Sequence, residues 1–497
     1  MGDWSVARRY MLSMRNAPPF GAARKGREVD SQRFNLTRGD IAGKLLLVSL
    51  PIIGTQLMLM GYNLVDMFLL GRVGSDAVAA SGSAGMYMWL GGGLMLVGRI
   101  GAEIGVAQAK GARDDRTAAD LSHSSLFLAM ALGVGFGALC FFAPAALIGF
   151  LNIKEPGVAA DAADYLAIVG LGVPFVFVSS AVSGIFTGAG NSRAPFVVNA
   201  IGLVLNAMLD PLFIFTLGMG VRGAAVATSL SQFVGCLLSF YWLLARRDRP
   251  FAVFPLWRRP SPALASRILR WTVPVSAENL LFTFFSMVVA REIARYGSDA
   301  IAVFRVGSQA ESLCWLVCLG FSSGITAFIG QNFGAGLWSR IWRGFRQSLL
   351  LILCWGVAVS VLFWTSGRWL TDLFVPEERI AEMGGTYLWI LAFCQVFFCM
   401  ESIAAGALRG LGRTTPPSIA SIASNALRVP IVYYLAATDL GLNGIWWAIS
   451  LTASLRGVWV FLWFMAYARG KPVQDVGHRD SVREELSREV PSGRFFP

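Results

Sequence analysis

Long apolar stretches follow one another along most of the chain, separated by short polar segments. The stretch 41–70 contains only Lys44 and Asp66 as charged residues, and the stretch 349–362 contains none. About 20 apolar residues suffice for a helix to cross the hydrocarbon core of a bilayer, whereas strands of a membrane barrel would show short alternating segments. The pattern predicts an all-α membrane protein with twelve transmembrane helices, at 41–70, 76–109, 117–150, 158–188, 193–217, 220–245, 264–294, 298–333, 340–366, 383–410, 415–437 and 441–468.

The composition supports this interpretation and orients the chain. Hydrophobic residues make up 55% of the 497 residues and charged residues 14%, against about 25% charged residues in an ordinary soluble domain. The net charge of +12 is concentrated in one set of loops, chiefly 110–116, 246–270 and 340–346. Because Lys and Arg mark cytoplasmic loops, we expect both termini in the cytoplasm of a cell with the protein in its inner membrane. Basic residues spread in this way do not form a nucleic-acid-binding face.

The two halves of the chain resemble each other. At an offset of 223 residues Pro51 matches Pro274, and at an offset of 222 Tyr165 matches Tyr387. Further matches are Ser75 with Ser298, Gly101 with Gly324, Gln108 with Gln331, Gly188 with Gly410 and Asn206 with Asn425. Six helices per half give both halves the same orientation, as in transporters built from parallel repeats. The predicted units are an N-tail (1–40), an N-lobe (41–245), a linker (246–263), a C-lobe (264–468) and a C-tail (469–497).

Several short motifs carry a family resemblance. They include Pro51 to Gln56, Tyr62 to Asp66, Gly188 to Pro195 and Asn206 to Pro211. At these spacings, over about residues 41–468, the chain resembles the multidrug and toxic compound extrusion family, and most closely its DNA-damage-inducible-F-like prokaryotic branch. The resemblance implies two six-helix bundles forming a V-shaped cleft. It also implies export of bulky, often cationic and amphipathic compounds in exchange for H⁺ or Na⁺, with no other cofactor.

Two aspartates in the first lobe are the leading candidates for coupling. A carboxylate inside a membrane helix is costly and is therefore a functional hypothesis by default. Asp66 matches Val289 in the second half, and Asp210 matches Val429, an asymmetry that a packing role does not predict. Asn206 lies four residues before Asp210 and so shares its helix face.

The resemblance implies the remaining members of a cation site. Pro51 would allow the first helix to bend, because proline removes one helical hydrogen bond. Ser183 stands where some members have Asn, which removes an amide oxygen. The cation-coupling residues that the resemblance implies are Asp66, Tyr165, Ser183, Asn206, Asp210 and Thr228.

The acids of the second lobe have two interpretations. Glu401 has Arg428 on the next helix as a partner, and a buried ion pair of this kind favours a structural role. Glu278 and Glu311 are candidates for binding a cationic substrate. The possible substrate-cleft residues are Gln56, Asn63, Glu278, Glu311 and Glu401.

The sequence gives little support for a metal site or for an enzyme. The seven cysteines all lie in apolar stretches and are interpreted as small buried hydrophobic residues, without the spacing of a metal site. The chain has no His-Glu-x-x-His motif, and its two histidines are far apart in sequence, so we do not expect an enzyme. A flippase for lipid-linked precursors is the alternative function, which Arg305 and Arg428 keep open. We expect a monomer in the lipid bilayer that acts on a small molecule.

Overall fold

Twelve long helices make up the part of the chain that the computed structural model describes, residues 34–246, 248–251, 254, 260–375 and 377–469. They are α1 Ile41–Val73, α2 Ser75–Gly111, α3 Asp115–Phe142, α4 Pro156–Gly188, α5 Arg193–Pro211, α6 Gly220–Leu244, α7 Pro262–Ala294, α8 Ser298–Gly334, α9 Trp338–Asp372, α10 Glu378–Gly410, α11 Thr415–Ala436 and α12 Leu442–Arg469. Each is long and apolar enough to cross a membrane. The predicted fold class is confirmed. Tail residues 1–33 and 470–497 lie outside the described residues.

The helices run alternately between two faces of the molecule. Because α1 starts on one face, the loop between α2 and α3 and the loop between α8 and α9 lie on that same face. At these two loops Lys110 and Arg113 lie at and directly after the end of α2, and Arg340 lies in the first turn of α9. This face is called the basic face below, and the other is called the opposite face.

The predicted helix 117–150 is interrupted near its end. α3 stops at Phe142, and a separate short helix covers Pro144–Phe150. Proline has no N–H to donate and disfavours helical geometry in the residue before it. Accordingly Ala143 has left the helical conformation, at φ −126° and ψ 35°. Proline is tolerated at the first position of the short helix.

The first half of α1 packs into the core of the second lobe. Leu45, Val48 and Ile52 belong to one buried cluster with Ile325 and Phe328 of α8. The beginning of α7 does the reverse, because its Trp271 and Val275 pack against Ile100 and Ile104 of α2. Each lobe therefore receives the start of the other lobe's first helix, and the division at residues 246–263 separates the sequence repeats but not the packing.

Matching glycines make this exchange possible. A Cβ atom at Gly324 of α8 would lie 2.1 Å from Oγ of Ser49 in α1. A Cβ atom at Gly101 of α2, the matching position, would lie 2.4 Å from Cγ2 of Ile268 in α7. Helices in a membrane approach closely where small residues face the neighbour, so these two glycines set the crossings of α1 with α8 and of α7 with α2.

A pair of matching hydrogen bonds joins the lobes at the basic face. Gln108 of α2 donates from Nε2 to the carbonyl of Gly410, at 3.0 Å. Gln331 of α8 donates from Nε2 to the carbonyl of Gly188, at 2.9 Å. All four groups stand at or near helix ends, where carbonyls lack helical partners. The repeat motif thus closes the molecule at this face, and we call these two bonds the glutamine joint.

The segment 34–40 crosses the glutamine joint. The amide of Leu36 donates to Oε1 of Gln331, at 2.9 Å, and the Leu36 side chain is fully buried. Arg340 donates to the carbonyl of Gly39, at 2.8 Å. On the first lobe, a Cβ atom at Gly190 would lie 2.2 Å from the carbonyl oxygen of Phe34. The last residues of the predicted N-tail are therefore part of the packed fold and contact both lobes.

Candidate functional site

Four helices of the first lobe bring polar residues to one depth near the opposite face. Asp66 lies two turns before the end of α1, and Asp210 lies at the end of α5. Tyr165 and Thr228 lie two to three turns after the starts of α4 and α6. The alternating direction of the helices therefore places all four side chains at a similar height in the membrane.

The two aspartates and two tyrosines form one electrostatic cluster. The charge of Asp66 acts on Asp210, and both carboxylates act on the hydroxyls of Tyr62 and Tyr165. The side chain of Thr228 lies close to both tyrosine hydroxyls. These five residues are called the aspartate cluster.

A hydrogen bond fixes one of the two carboxylate oxygens of Asp210. Its side chain is fully buried, and Nδ2 of Asn206 donates to its Oδ1 at 2.8 Å. Its Oδ2 atom is buried without a hydrogen-bond partner, and so is Oδ1 of Asp66. A buried polar atom usually has a partner. Two such oxygens in one cluster are suited to accept a proton or to coordinate a hard cation, which prefers oxygen ligands.

The backbone changes its winding directly after Asp210. Pro211 cannot donate to the carbonyl of Ala207, and α5 continues as a π-helical turn over Leu212–Thr216. The amide of Leu217 accordingly donates to the carbonyl of Leu212, at 2.9 Å. π-Helical turns are rare and are frequent at functional sites, so Asp210 stands where α5 departs from regular geometry.

The α1 helix has its own irregular point at Pro51. Proline leaves the carbonyl of Leu47 without its helical donor. The hydroxyl of Ser192, from the junction of α4 and α5, lies 3.3 Å from this carbonyl and 2.6 Å from that of Val48. Ser192 therefore partly replaces the lost hydrogen bond and fastens α1 to the first lobe just before Pro51.

The charge partners of the aspartate cluster differ from those of Glu401. Within the described residues, neither Asp66 nor Asp210 forms an ion pair with Lys or Arg. In the second lobe Glu401 does, because Nε of Arg456 lies 2.8 Å from its Oε2 atom. Within the described residues Asp66 and Asp210 of the first lobe thus have no counter-charge in an ion pair, whereas Glu401 of the second lobe has one.

The partner predicted for Glu401 is wrong. Arg456 of α12 pairs with it, and Arg428 instead donates from Nε to Oγ1 of Thr452, at 2.9 Å. Arg428 lies on α11, the next helix along the chain, whereas Arg456 lies on α12. The packing of α10 against α12 places Arg456 beside Glu401. Burial of the pair, with 13% of the Glu401 side chain exposed, supports the structural interpretation of this acid.

The other two acids predicted as possible substrate-cleft residues accept hydrogen bonds. Glu311 accepts from the hydroxyl of Tyr387 at 2.9 Å and from Nε2 of Gln395 at 3.2 Å. Glu278 accepts from the hydroxyl of Ser418, at 2.8 Å. Tyr387 matches Tyr165 of the aspartate cluster, so each lobe places a carboxylate near the same tyrosine position.

Ser183 lies far from the aspartate cluster. It follows Tyr165 by 18 residues within α4, which corresponds to about 27 Å of helical rise. Its hydroxyl donates to the carbonyl of Ser179, at 3.0 Å. Ser183 therefore does not belong to the same site as Tyr165. Gln56 is half-buried and Asn63 is exposed, and both remain predictions for the substrate cleft.

Three cysteines come together in the second lobe. The Sγ atoms of Cys314, Cys318 and Cys399 lie within 4.8 Å of one another, and all three residues are buried. The sequence alone does not reveal this group, because its members come from two helices. Structural zinc sites use four ligands, so these thiols fit the predicted role of small buried residues more closely than that of a zinc centre.

One member of the aspartate cluster and one contact of a buried acid were not predicted from the sequence. Tyr62 joins the aspartate cluster, and its spacing of four residues from Asp66 was the available signal, since such residues share a helix face. Glu103 is buried where the lobes meet, and its Oε1 accepts from the hydroxyl of Ser323 on the other lobe, at 2.6 Å. Only the tertiary structure reveals that second contact.

Comparison with known proteins relates both repeats of the chain to one family. The MatE family profile matches residues 51–212 and 274–434, one segment in each repeat. A probable multidrug resistance protein NorM of Thermotoga maritima is 29% identical over 436 residues, which cover 86% of this chain and 93% of the relative. A protein named FAD transporter from Shewanella oneidensis is 24% identical and covers 86% of this chain and 95% of its own length.

A solved structure shows the same fold. A transporter of the MOP superfamily from Pyrococcus furiosus superimposes with a TM-score of 0.82, at 25% identity, and the match covers 88% of this chain and 98% of that one. The family match spans both repeats, and the described helices reproduce the architecture of these transporters. The chain is therefore a multi-pass membrane transporter, not an enzyme, and belongs to the MatE family of multidrug and toxic compound extrusion proteins.

Proposed function

We propose that this chain is an antiporter that exports bulky, often cationic amphipathic compounds in exchange for H⁺ or Na⁺, with the aspartate cluster as the coupling site. One observation carries the proposal. Asp66 and Asp210 lie close together inside the membrane, each with a buried oxygen that has no partner. A resident basic side chain would occupy these oxygens permanently, whereas an exchangeable cation occupies them in only part of the cycle.

The energetics of the cluster favour a cation that binds and leaves. Two ionised carboxylates in a low-dielectric environment repel each other and lose their hydration, which costs several kcal/mol for each ion. A proton or a Na⁺ ion between Asp66 and Asp210 removes most of that cost. Cation binding therefore draws α1 and α5 together, and cation release allows them to separate.

Coupling requires that cation and substrate favour different states of the lobe. α1 is suited to transmit the change because it carries Asp66 in its second half and packs into the other lobe with its first half. Pro51 lies between these halves. A bend at Pro51 moves Asp66 relative to the second lobe and changes the wall of the cleft between the lobes.

The glutamine joint defines the state that the structure represents. If the basic face lies in the cytoplasm, as the positive-inside rule predicts, then the joint closes the cytoplasmic end, and the substrate path opens outward. Both termini then lie in the cytoplasm and the protein sits in the inner membrane. The lobes meet within one chain, so the proposal needs only a monomer.

The substrate class can be tested together with the coupling ion. The relative named FAD transporter makes a flavin nucleotide the main alternative to an amphipathic cation. Purified protein in proteoliposomes is given an inward proton gradient or an inward sodium gradient, and efflux of ethidium or of FAD is followed. Ethidium efflux driven by one gradient supports the proposal, whereas FAD movement alone, or ethidium movement without a gradient, contradicts it.

A further inference from the structure

A cavity of about 670 Å³ opens at the basic face of the first lobe, away from the cleft between the lobes. It lies where α5 begins and α6 ends, beside Phe34 of the segment that crosses the glutamine joint. Its volume is within the range of about 300–1,000 Å³ that is usual for small-molecule sites.

The inner part of the cavity offers hydrogen-bond donors. Asn191 lines it and is only 3% exposed, yet its Nδ2 atom has no hydrogen-bond partner. Arg193 lines the same cavity with an exposed side chain and starts α5. The N-terminus of a helix attracts anions through its free amides and its dipole. A buried amide donor, a guanidinium and a helix N-terminus thus face one space.

The outer part of the cavity is suited to the boundary between water and lipid. Tyr241 and Val197 line it and are 54% and 39% exposed. Trp242 carries the guanidinium of Arg246 over its ring, at 4.8 Å from the ring centroid. Tyrosine and tryptophan are enriched at this depth of membrane proteins.

The charges of the cavity favour an anion. Asp248 is the acidic residue in the lining, and it is paired with Arg246 at 3.2 Å. That pair leaves the charge of Arg193 uncompensated by any lining residue. An anion that also carries an apolar part would place its charge near Arg193 and Asn191 and its apolar part against Val197 and Tyr241.

We infer that this cavity binds the phosphate headgroup of an anionic phospholipid from the leaflet at the basic face. Basic pockets between helices on this side of a membrane are suited to such headgroups. Asn191 and Arg193 contact the phosphate oxygens, and the acyl chains follow the exposed surface of Val197.

The site is connected to the moving part of the transporter. Ser192, between the two phosphate-binding residues, donates toward the carbonyls of Leu47 and Val48, just before Pro51 in α1. A headgroup on Asn191 and Arg193 therefore stabilises the loop that fastens α1 to the first lobe.

Lipid retention by the full chain tests the inference. The protein is reconstituted in phosphatidylcholine nanodiscs with or without phosphatidylglycerol, extracted in mild detergent, and examined by native mass spectrometry for retained lipid. Arg193→Gln should lower retained phosphatidylglycerol about fivefold, since one basic residue near an anionic surface contributes about that much. Arg193→Lys should retain most of it, because the charge remains. Arg343→Gln, which removes an equal charge from the basic face of the second lobe, should change nothing.

Two outcomes would overturn the inference. Equal retention by Arg193→Gln and Arg343→Gln, with matched melting temperatures, would show that no lipid depends on the cavity. If Arg193→Gln alone melted early, Asn191→Ala would replace it, with the same expected loss. Glycerol phosphate is added to the phosphatidylcholine sample as the second arm. If the wild-type protein binds glycerol phosphate in the absence of anionic lipid, the site would be assigned to a free phosphate compound instead.

Discussion

Asn206 donates a hydrogen bond of 2.8 Å to Oδ1 of Asp210 and leaves Oδ2 of that carboxylate buried without a partner. The two residues are four apart on α5, so the helix itself fixes the bond. It holds the carboxylate in one orientation, with its second oxygen open. The repeat copy of Asn206 is Asn425, which donates to the carbonyl of Ser421 at 2.8 Å and has no aspartate beside it.

This difference between the repeats predicts unequal effects of the same substitution. Asn206→Ala should reduce gradient-driven efflux at least about tenfold, because a hydrogen bond to a charged group contributes about 1.5–3 kcal/mol. Asn425→Ala should leave efflux within about twofold of wild type, since a neutral bond within one helix contributes about 1 kcal/mol or less. Initial rates in proteoliposomes measure both. Equal losses in the two variants would remove Asn206 from the coupling site.

The contact between Ser192 and α1 predicts a dependence on Pro51. Ser192→Ala should lower stability by about 1–3 kcal/mol, the cost of leaving a buried acceptor without a partner. In a Pro51→Ala background the cost should be smaller, because the restored N–H of residue 51 reaches the carbonyl of Leu47 itself. Melting temperatures of the four proteins form the double-mutant cycle. Strict additivity would show that Ser192 and Pro51 are not linked through α1.

The glutamine joint predicts a cost for any side chain between the lobes. A Cβ atom at Gly334 would lie 1.9 Å from the carbonyl oxygen of Gln108, so Gly334→Ala should force the lobes apart at the basic face. The amide of Leu36, bonded to Gln331, should then exchange hydrogen at least about tenfold faster, since an opening of this kind exposes it. Gly135→Ala is the control, because a Cβ atom there would have no atom within 4 Å. Unchanged exchange in Gly334→Ala would contradict the closed joint.

The buried ion pair between Glu401 and Arg456 predicts a structural role. Glu401→Gln should destabilise the protein by about 3–5 kcal/mol, because it leaves Arg456 buried without a counter-charge. The double replacement Glu401→Leu with Arg456→Met should recover most of that loss, since apolar residues of similar size often replace such pairs. Thermal melting follows stability and efflux follows function. Loss of efflux in a stable double variant would assign Glu401 to substrate binding instead.

Most of the fold could be predicted from the sequence, because the bilayer imposes a length and an apolar pattern on each helix. The helix break at Pro144 was missed, since a hydropathy window averages over a single proline. The depth of Asp66, Tyr165, Asp210 and Thr228 also follows from helix direction and residue number. The same arithmetic separates Ser183 from Tyr165 along α4, although the family resemblance implies one site for both residues.

Contacts between helices could not be predicted in this way. The choice of Arg456 over Arg428 as partner of Glu401 depends on how α10 packs against α12. The contacts of Phe34 and Leu36 with the two lobes depend on the positions of backbone and side-chain groups at the ends of α4 and α8. These features arise from tertiary packing, and a single sequence carries no direct signal for them.

The most direct test of the account compares Asp210→Asn and Asp66→Asn with Asp76→Asn, an exposed acid in the first turn of α2. Ethidium accumulation in everted vesicles, which reports efflux by the transporter, is measured under a proton gradient and, separately, under a sodium gradient. The account predicts that both cluster variants lose gradient-driven efflux at least about a hundredfold, the scale of about 2.8 kcal/mol, while Asp76→Asn retains it. Normal gradient-driven efflux in Asp210→Asn would contradict the assignment of coupling to the aspartate cluster.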